Sequence, residues 1–386
     1  MSCLGLVVTG CSSRPGSLAE RCSVATPCED LLVCEEGVCL LPAVDAGAPA
    51  PDASRADVTF VPDATTTTDA VPPDAEPAIS SGPRLPLPSP NTFSLPPGIS
   101  DLSLDFERHR LFLSRGRSGR VTVLDLRSGE SGSIEVGHDV VLVAFDPFSD
   151  TLAIVSLEAT PSSSGPDRAW LDAVDAGSFV VRSHAELTIR PTGIVVDARG
   201  RAYISADGSQ GATIDLATGE TTLTYVGHSL GTHPNIAIHP DGDRLYVSPD
   251  VGFRFVHRLS ATRLAEFEYE GAEGTRGTIR IDPSGDLLYT SLGRIHRATN
   301  DRDTDMLWVM DTPPWQDLAF LPSRAGLLVI REGALVRLET PASEPGERLL
   351  VEGRPVRVFA GPEYWVVVSQ TETGAPQAVI SVRAYD

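Results

Sequence analysis

From Gly98 to the C-terminus, short apolar runs alternate with Gly, Asp and Pro turns, and one phrase recurs. It consists of three or four alternating apolar residues, an Asp-Pro-type turn, and a second apolar run that often contains Leu-Tyr or a similar pair. The copies open at Ile99–Asp105, Val141–Pro147, Ile194–Asp197, Ile236–Pro240, Ile279–Pro283, Leu318–Pro322 and Val356–Ala360. Their turn residues lie about 41, 51, 42, 43, 39 and 39 positions apart. Period-two alternation bounded by turn residues predicts strands. Pro240-Asp-Gly-Asp243 and Pro283-Ser-Gly-Asp286 read as tight strand-joining turns in which Gly supplies positive φ. Seven copies of about 41 residues, each with room for four strands, predict an all-β, seven-bladed β-propeller over residues 91–386. A β-sandwich would not repeat one turn phrase at this interval.

The last copy has only three strand-like runs, Val356–Ala360, Tyr364–Ser369 and Ala378–Tyr385. An orphan run, Thr92–Leu95, precedes the first copy. We expect it to be the outer strand of the last blade, which closes the ring and removes an exposed edge.

Gly119-Arg-Val-Thr-Val-Leu-Asp-Leu-Arg-Ser-Gly-Glu130 is similar to the third-strand phrase of YVTN-type and WD-like extracytoplasmic propellers, and Ala212–Glu220 is a shorter echo. The other copies lack the phrase, so the resemblance implies the fold and fixes no ligand.

Composition changes the picture mainly at the N-terminus. Val8-Thr9-Gly10-Cys11 resembles the lipobox of bacterial lipoproteins, which makes residues 1–11 a signal remnant with its lipobox and implies cleavage just before Cys11 and lipidation of Cys11. Residues 12–40 hold Cys22, Cys28, Cys34 and Cys39, and no Cys follows. This is the distribution of a small disulfide module in an oxidising compartment. A four-Cys zinc site is the rival, but it lacks paired knuckles. The text resembles Cys-rich modules of secreted proteins, and that resemblance implies Cys22–Cys34 with Cys28–Cys39. Residues 41–90, rich in Pro, Ala, Asp and Thr, read as a disordered linker. They resemble the spacers of Gram-negative surface lipoproteins. Together these features predict an outer-membrane-anchored lipoprotein of the cell envelope, facing the periplasm or the surface and held by its lipid alone.

Net charge is −21, about −3 before residue 40, −5 in the linker and −13 beyond it. All 31 basic residues are Arg and none cluster, which argues against nucleic-acid binding. No apolar run reaches the 18 or so residues of a spanning helix.

The loops that lead into the innermost strands should ring the channel mouth. They offer His138, Asp139, Arg190, His233, Asn235, Arg276, Trp315, Gln316 and Arg354. Three Arg, two His and an apparently exposed Trp suit a polar or anionic small ligand or a peptide. The Ser/Pro/Gly-rich stretch Leu157–Asp167 is placed on the same face as a contact loop. His228 and His233 lack the spacing and companions of a metal pair, and Asn300–Asp305 lacks the Gly and Glu of a calcium loop. No metal or other cofactor is expected, and no residue set signals catalysis. The sequence therefore reads as a monomeric binding or scaffold protein for an envelope or extracellular protein or a polar small ligand. The alternative is a propeller enzyme of lactonase or quinoprotein type. For the lactonase constellation Asn235 and Asp139 are present, but a matching Glu is not.

Overall fold

A computed structural model of the chain describes residues 33–35, 38–40, 60–62, 91–95, 98–116, 118–158, 168–206, 210–225, 235–248, 255–259, 264–268, 277–299, 301, 303–321, 326–341, 346–371 and 378–385. The chain divides into two compact units, Met1–Arg55 and Ala56–Asp386. In the first, Val33–Glu35 and Val38–Leu40 pair antiparallel, and their register sets Cys34 opposite Cys39. Cys11, Cys22 and Cys28 lie outside the described residues.

The second unit is a β-propeller, with no helix among its described residues. Every sheet is antiparallel and is built outward from the first strand of its repeat. The first strands are Ile99–Asp105, Asp139–Asp146, Pro191–Val196, Asn235–Ile238, Ile279–Ile281, Asp317–Phe320 and Arg354–Ala360. They are the recurring phrase of the sequence. They pack or hydrogen-bond to one another around a common axis. Six sheets have the expected four strands, and the sheet that begins at Ile99 has five. The expectation of seven four-stranded blades is therefore corrected to six, plus this larger sheet.

Hydrophobic burial explains the pattern. Successive side chains of a strand point to opposite sheet faces. Leu111, Leu113, Leu124 and Leu126 pack against Tyr364, Val366 and Ile380 of the last sheet. Phe112, Val121, Val123 and Ile134, on the other face, pack against Leu152, Ile154 and Val174 of the next one. Similar apolar clusters fill the other interfaces between consecutive sheets. With both faces covered, a strand such as Arg110–Arg115 is apolar without alternation. Each such Leu, Val or Phe contributes roughly 1.5–3 kcal/mol on burial.

Aspartates set the turns. Asp105 and Asp146 end the first strands of two sheets, Asp197 directly follows that of a third, and all three accept backbone N–H groups from the residues that follow. Asp125, Asp175 and Asp215 do the same between third and fourth strands. Those turns end on a left-handed residue, Gly129 (φ 77°), Phe179 (φ 60°) and Gly219 (φ 75°). The third-strand phrase thus has a further copy at Asp175–Phe179, hidden because Phe179 stands where the others have Gly.

Asn91–Leu95 pairs with Ala378–Ala384 as the outer strand of the last sheet, which is the closure the sequence predicts. The linker expectation needs correction. Phe60–Pro62 is a strand on the outer edge of the first sheet, paired with Ser131–Glu135. The compact unit starts at Ala56, not at 91. Val58-Thr59-Phe60-Val61 is the stretch of the linker with high strand propensity, and Pro62 is tolerated on an edge.

Candidate functional site

One face of the propeller carries the loops that lead into the first strands and those between second and third strands. The structure spreads the sequence-predicted residues around this face. His138 is half-buried and stacks on Trp170, with ring centroids 3.9 Å apart and planes 10° apart. Asp139 and Asn235 open the first strands of two different sheets, opposite Leu157 and Ser248 respectively. Arg190 is exposed. His233, Arg276 and residues 159–167 lie outside the described residues.

Trp315, Gln316 and Arg354 do converge. They line a cleft of about 890 Å³ together with Arg331, Glu332 and Arg348. Leu327–Arg331 and Ala334–Leu338 form a hairpin whose two turn residues, Glu332 and Gly333, both have positive φ (49° and 71°). This is the turn that matches strand twist, and Gly is favoured there. Arg354 opens the first strand of the last sheet and lies against that turn: a Cβ on Gly333 would sit 3.8 Å from its Nε. Arg348 comes from the outer strand Glu347–Leu349, opposite Val336. The Gln316 N–H donates to the Ile330 carbonyl at 2.7 Å and fixes the other wall.

Trp315 corrects the expectation of exposure. It is only 6% exposed and packs on Tyr289, Ile295 and Leu318. Its indole belongs to the core between two sheets, so it supports the cleft instead of presenting a free ring.

Three arginines, Arg331, Arg348 and Arg354, and one acid, Glu332, line this cleft. Elsewhere Arg108 pairs with Asp105 and Asp150, Arg182 with Asp175, Arg201 with Asp197, and Arg280 with Asp317. Arg348 and Arg354 have no ion-pair partner among the described residues. Their donor forks have the chemistry that suits a carboxylate or another planar anion.

A second cluster lines the channel. Asp317 accepts from Arg280 at 2.7 Å and from the Val358 N–H at 3.0 Å. Asp101 accepts from the Val143 N–H at 3.0 Å and from Arg357 at 3.3 Å. Burial raises the Asp101 carboxyl pKa, against the pull of the Val143 N–H and Arg357. Each carboxylate sits on one first strand and takes an N–H from the next, about 41 positions on. These contacts lock neighbouring sheets together. Sequence reasoning passed over both groups; the available signal was an Asp inside an otherwise apolar repeat.

His239, Asp241 and Asp243 form the one cluster with metal-ligand spacing among the described residues. The cation beside them is Arg244, which reaches both aspartates and the imidazole. Burial lowers the His239 pKa, and the Arg244 charge adds to this. Asp305, in the acidic turn, points inward and accepts from Tyr246 and the Thr299 N–H, so it does not serve a calcium loop.

No protein-family model matches the sequence, and no curated protein matches it. Solved structures do match the fold. The β-propeller domain of Cps50 (Swd1) from Myceliophteria thermophila aligns with a TM-score of 0.55 at 13% identity, over 77% of this chain and 100% of that one. A chain in a crystal structure of the Mitotic Checkpoint Complex aligns with a TM-score of 0.57 at 15% identity, over 83% of this chain and 99% of that one. The chain is thus similar in fold to WD40-like propellers.

Proposed function

We propose that the protein is an extracytoplasmic binding propeller, anchored to the outer membrane through Cys11, that takes a carboxylate-bearing segment of a protein partner in the arginine cleft. One observation carries the reading: Arg348 and Arg354, with no ion-pair partner among the described residues, line one cleft of a chain with net charge −21. A relative in fold belongs to a multiprotein complex by its description, which supports a protein partner over a free metabolite. The sheet with five strands counts as a blade in this reading, which gives a seven-bladed ring. The disulfide module and lipid anchor rest on the cysteine pattern of residues 11–39.

The cleft is tested with a fluorescent hexaglutamate peptide and its hexaglutamine analogue in a fluorescence-anisotropy titration. Binding should require the carboxylates and weaken with added salt. The double variant Arg348→Ala/Arg354→Ala should lose at least about tenfold in affinity, roughly 1.4 kcal/mol. Undiminished binding by the double variant refutes the site. The anchor is tested separately by expressing the chain behind a competent lipoprotein signal. Cys11→Ala should move the protein from the membrane to the soluble fraction, and unchanged partitioning refutes the lipid claim.

A further inference from the structure

The cleft that holds Arg348 and Arg354 also holds one acid, Glu332, which is exposed on the turn between the second and third strands of the sheet that begins at Asp317. Gly333 of the same turn lies against Arg354. Glu332 nevertheless makes no ion pair with Arg354, with Arg348 or with any other described residue. Arg331, the third arginine of the cleft, already has an interaction of its own. Opposite charges therefore share one cleft without neutralising one another.

Backbone placement keeps them apart. Glu332 comes from a hairpin turn, Arg348 from the outer strand Glu347–Leu349, and Arg354 from the head of the next sheet's first strand. Each is held by its own ladder. Arg348 stands opposite Val336, further along the strand that leaves the turn of Glu332. At the rise of a strand, that offset is on the order of 10 Å. An extended peptide covers the same length in about three residues.

The charges also act on what can approach. The net charge of −21 repels a purely acidic ligand at long range, and Glu332 repels it at contact. A purely basic ligand meets Arg348 and Arg354. A segment that carries both signs finds a partner for all three side chains, and like-charge juxtaposition in an interface is what suppresses the other two kinds. A cleft of about 890 Å³ is within the range that encloses ligands larger than one residue.

We infer that the ligand of this cleft, granted the carboxylate site proposed above, is a dipolar extended segment of a partner protein. An acidic side chain goes to Arg348 and Arg354, and a lysine or arginine one to three residues away goes to Glu332. Glu332 is thus the residue that sets specificity, by rejecting polyacids that the arginines alone would accept.

The test is an anisotropy titration of the full chain with labelled, capped hexapeptides: alternating Glu-Lys, hexaglutamate, hexalysine and hexaglutamine. The alternating peptide should bind at least about tenfold more tightly than hexaglutamate. Hexalysine and hexaglutamine should bind more weakly than either. Glu332→Gln should remove the preference, by weakening the alternating peptide and tightening hexaglutamate. Arg348→Ala/Arg354→Ala should weaken both at least about tenfold. Hexaglutamate bound as tightly as the alternating peptide overturns the dipolar assignment and leaves the carboxylate site standing, as does a preference unchanged by Glu332→Gln. Hexalysine bound as tightly as the alternating peptide also overturns it, because attraction to the acidic chain then accounts for the binding. If neither acidic peptide binds, or if the double arginine variant binds both as the unaltered protein does, the carboxylate site itself falls and the dipolar assignment with it. The peptide comparison in the unaltered protein needs no variant, so it decides the matter even if circular dichroism shows Glu332→Gln to be unfolded.

Discussion

Replacing Asp317 with alanine is expected to cost about 3–5 kcal/mol of folding stability, the range for removing one member of a buried ion pair. Asp317 is 2% exposed and bridges three sheets. One oxygen holds Arg280 and the other holds the Val358 N–H. Without it, the Arg280 guanidinium loses its acid, and the Val358 N–H is left buried without an acceptor. Arg357 retains Asp101, so the loss centres on the sheets that begin at Ile279, Asp317 and Arg354. Asp317→Asn keeps acceptor capacity and removes the charge, so its cost should be smaller. Urea unfolding followed by tryptophan fluorescence measures both. A midpoint unchanged by Asp317→Ala would mean that the carboxylate does not hold the sheets together.

A chain that begins at Gly98 is expected to lose cooperative folding, whereas one that begins at Gly82 keeps it. Both lack Phe60–Pro62, so their difference isolates Asn91–Leu95. That strand supplies the last ladder of the closing sheet, with Phe93 opposite Ile380 and Leu95 opposite Ala378. Leu95 joins the cluster shared by the first and last sheets, and Phe93 packs against it. Burial of the two side chains contributes roughly 3–6 kcal/mol. Loss of the ladder also leaves Ala378–Ala384 as an apolar open edge. Against a typical stability of about 5–15 kcal/mol, that is a large fraction. Thermal melts and size-exclusion chromatography should show a broadened, lowered transition and aggregation. A synthetic peptide of residues 88–97 should restore the transition. Equal melting of the two chains would show that closure contributes nothing.

The ring was legible in the sequence because one physical cause repeats. Each strand is covered on both faces, so apolar runs recur at the spacing of the sheets. Each turn needs an acceptor for free N–H groups, so Asp recurs between them. What escaped notice lacked that repetition. Phe179 obscured a turn by taking the left-handed position where glycine was expected. Phe60–Pro62 is three residues of strand in a spacer of otherwise disordered composition. The candidate site was half visible: Trp315, Gln316 and Arg354 precede or open first strands and were found by position. Arg331 and Arg348 come from the second and fourth strands of one sheet, and only the packing of the next sheet against it adds Arg354 to the same cleft. Trp315 read as exposed because a loop position was taken to mean solvent, whereas its neighbours are core residues of two sheets.

The strand Phe60–Pro62 also changes how the propeller would respond to pulling. Tension from the N-terminal side reaches the outer edge of the first sheet before it reaches Asn91. Three residue pairs bear it there. The 28 residues between Pro62 and Asn91 are outside that load path. When those pairs peel apart, a segment of that length spans at most about 100 Å at full extension. The closing strand of the ring is not loaded until that length is spent. The edge strand acts as a mechanical fuse that yields first and spares the ring.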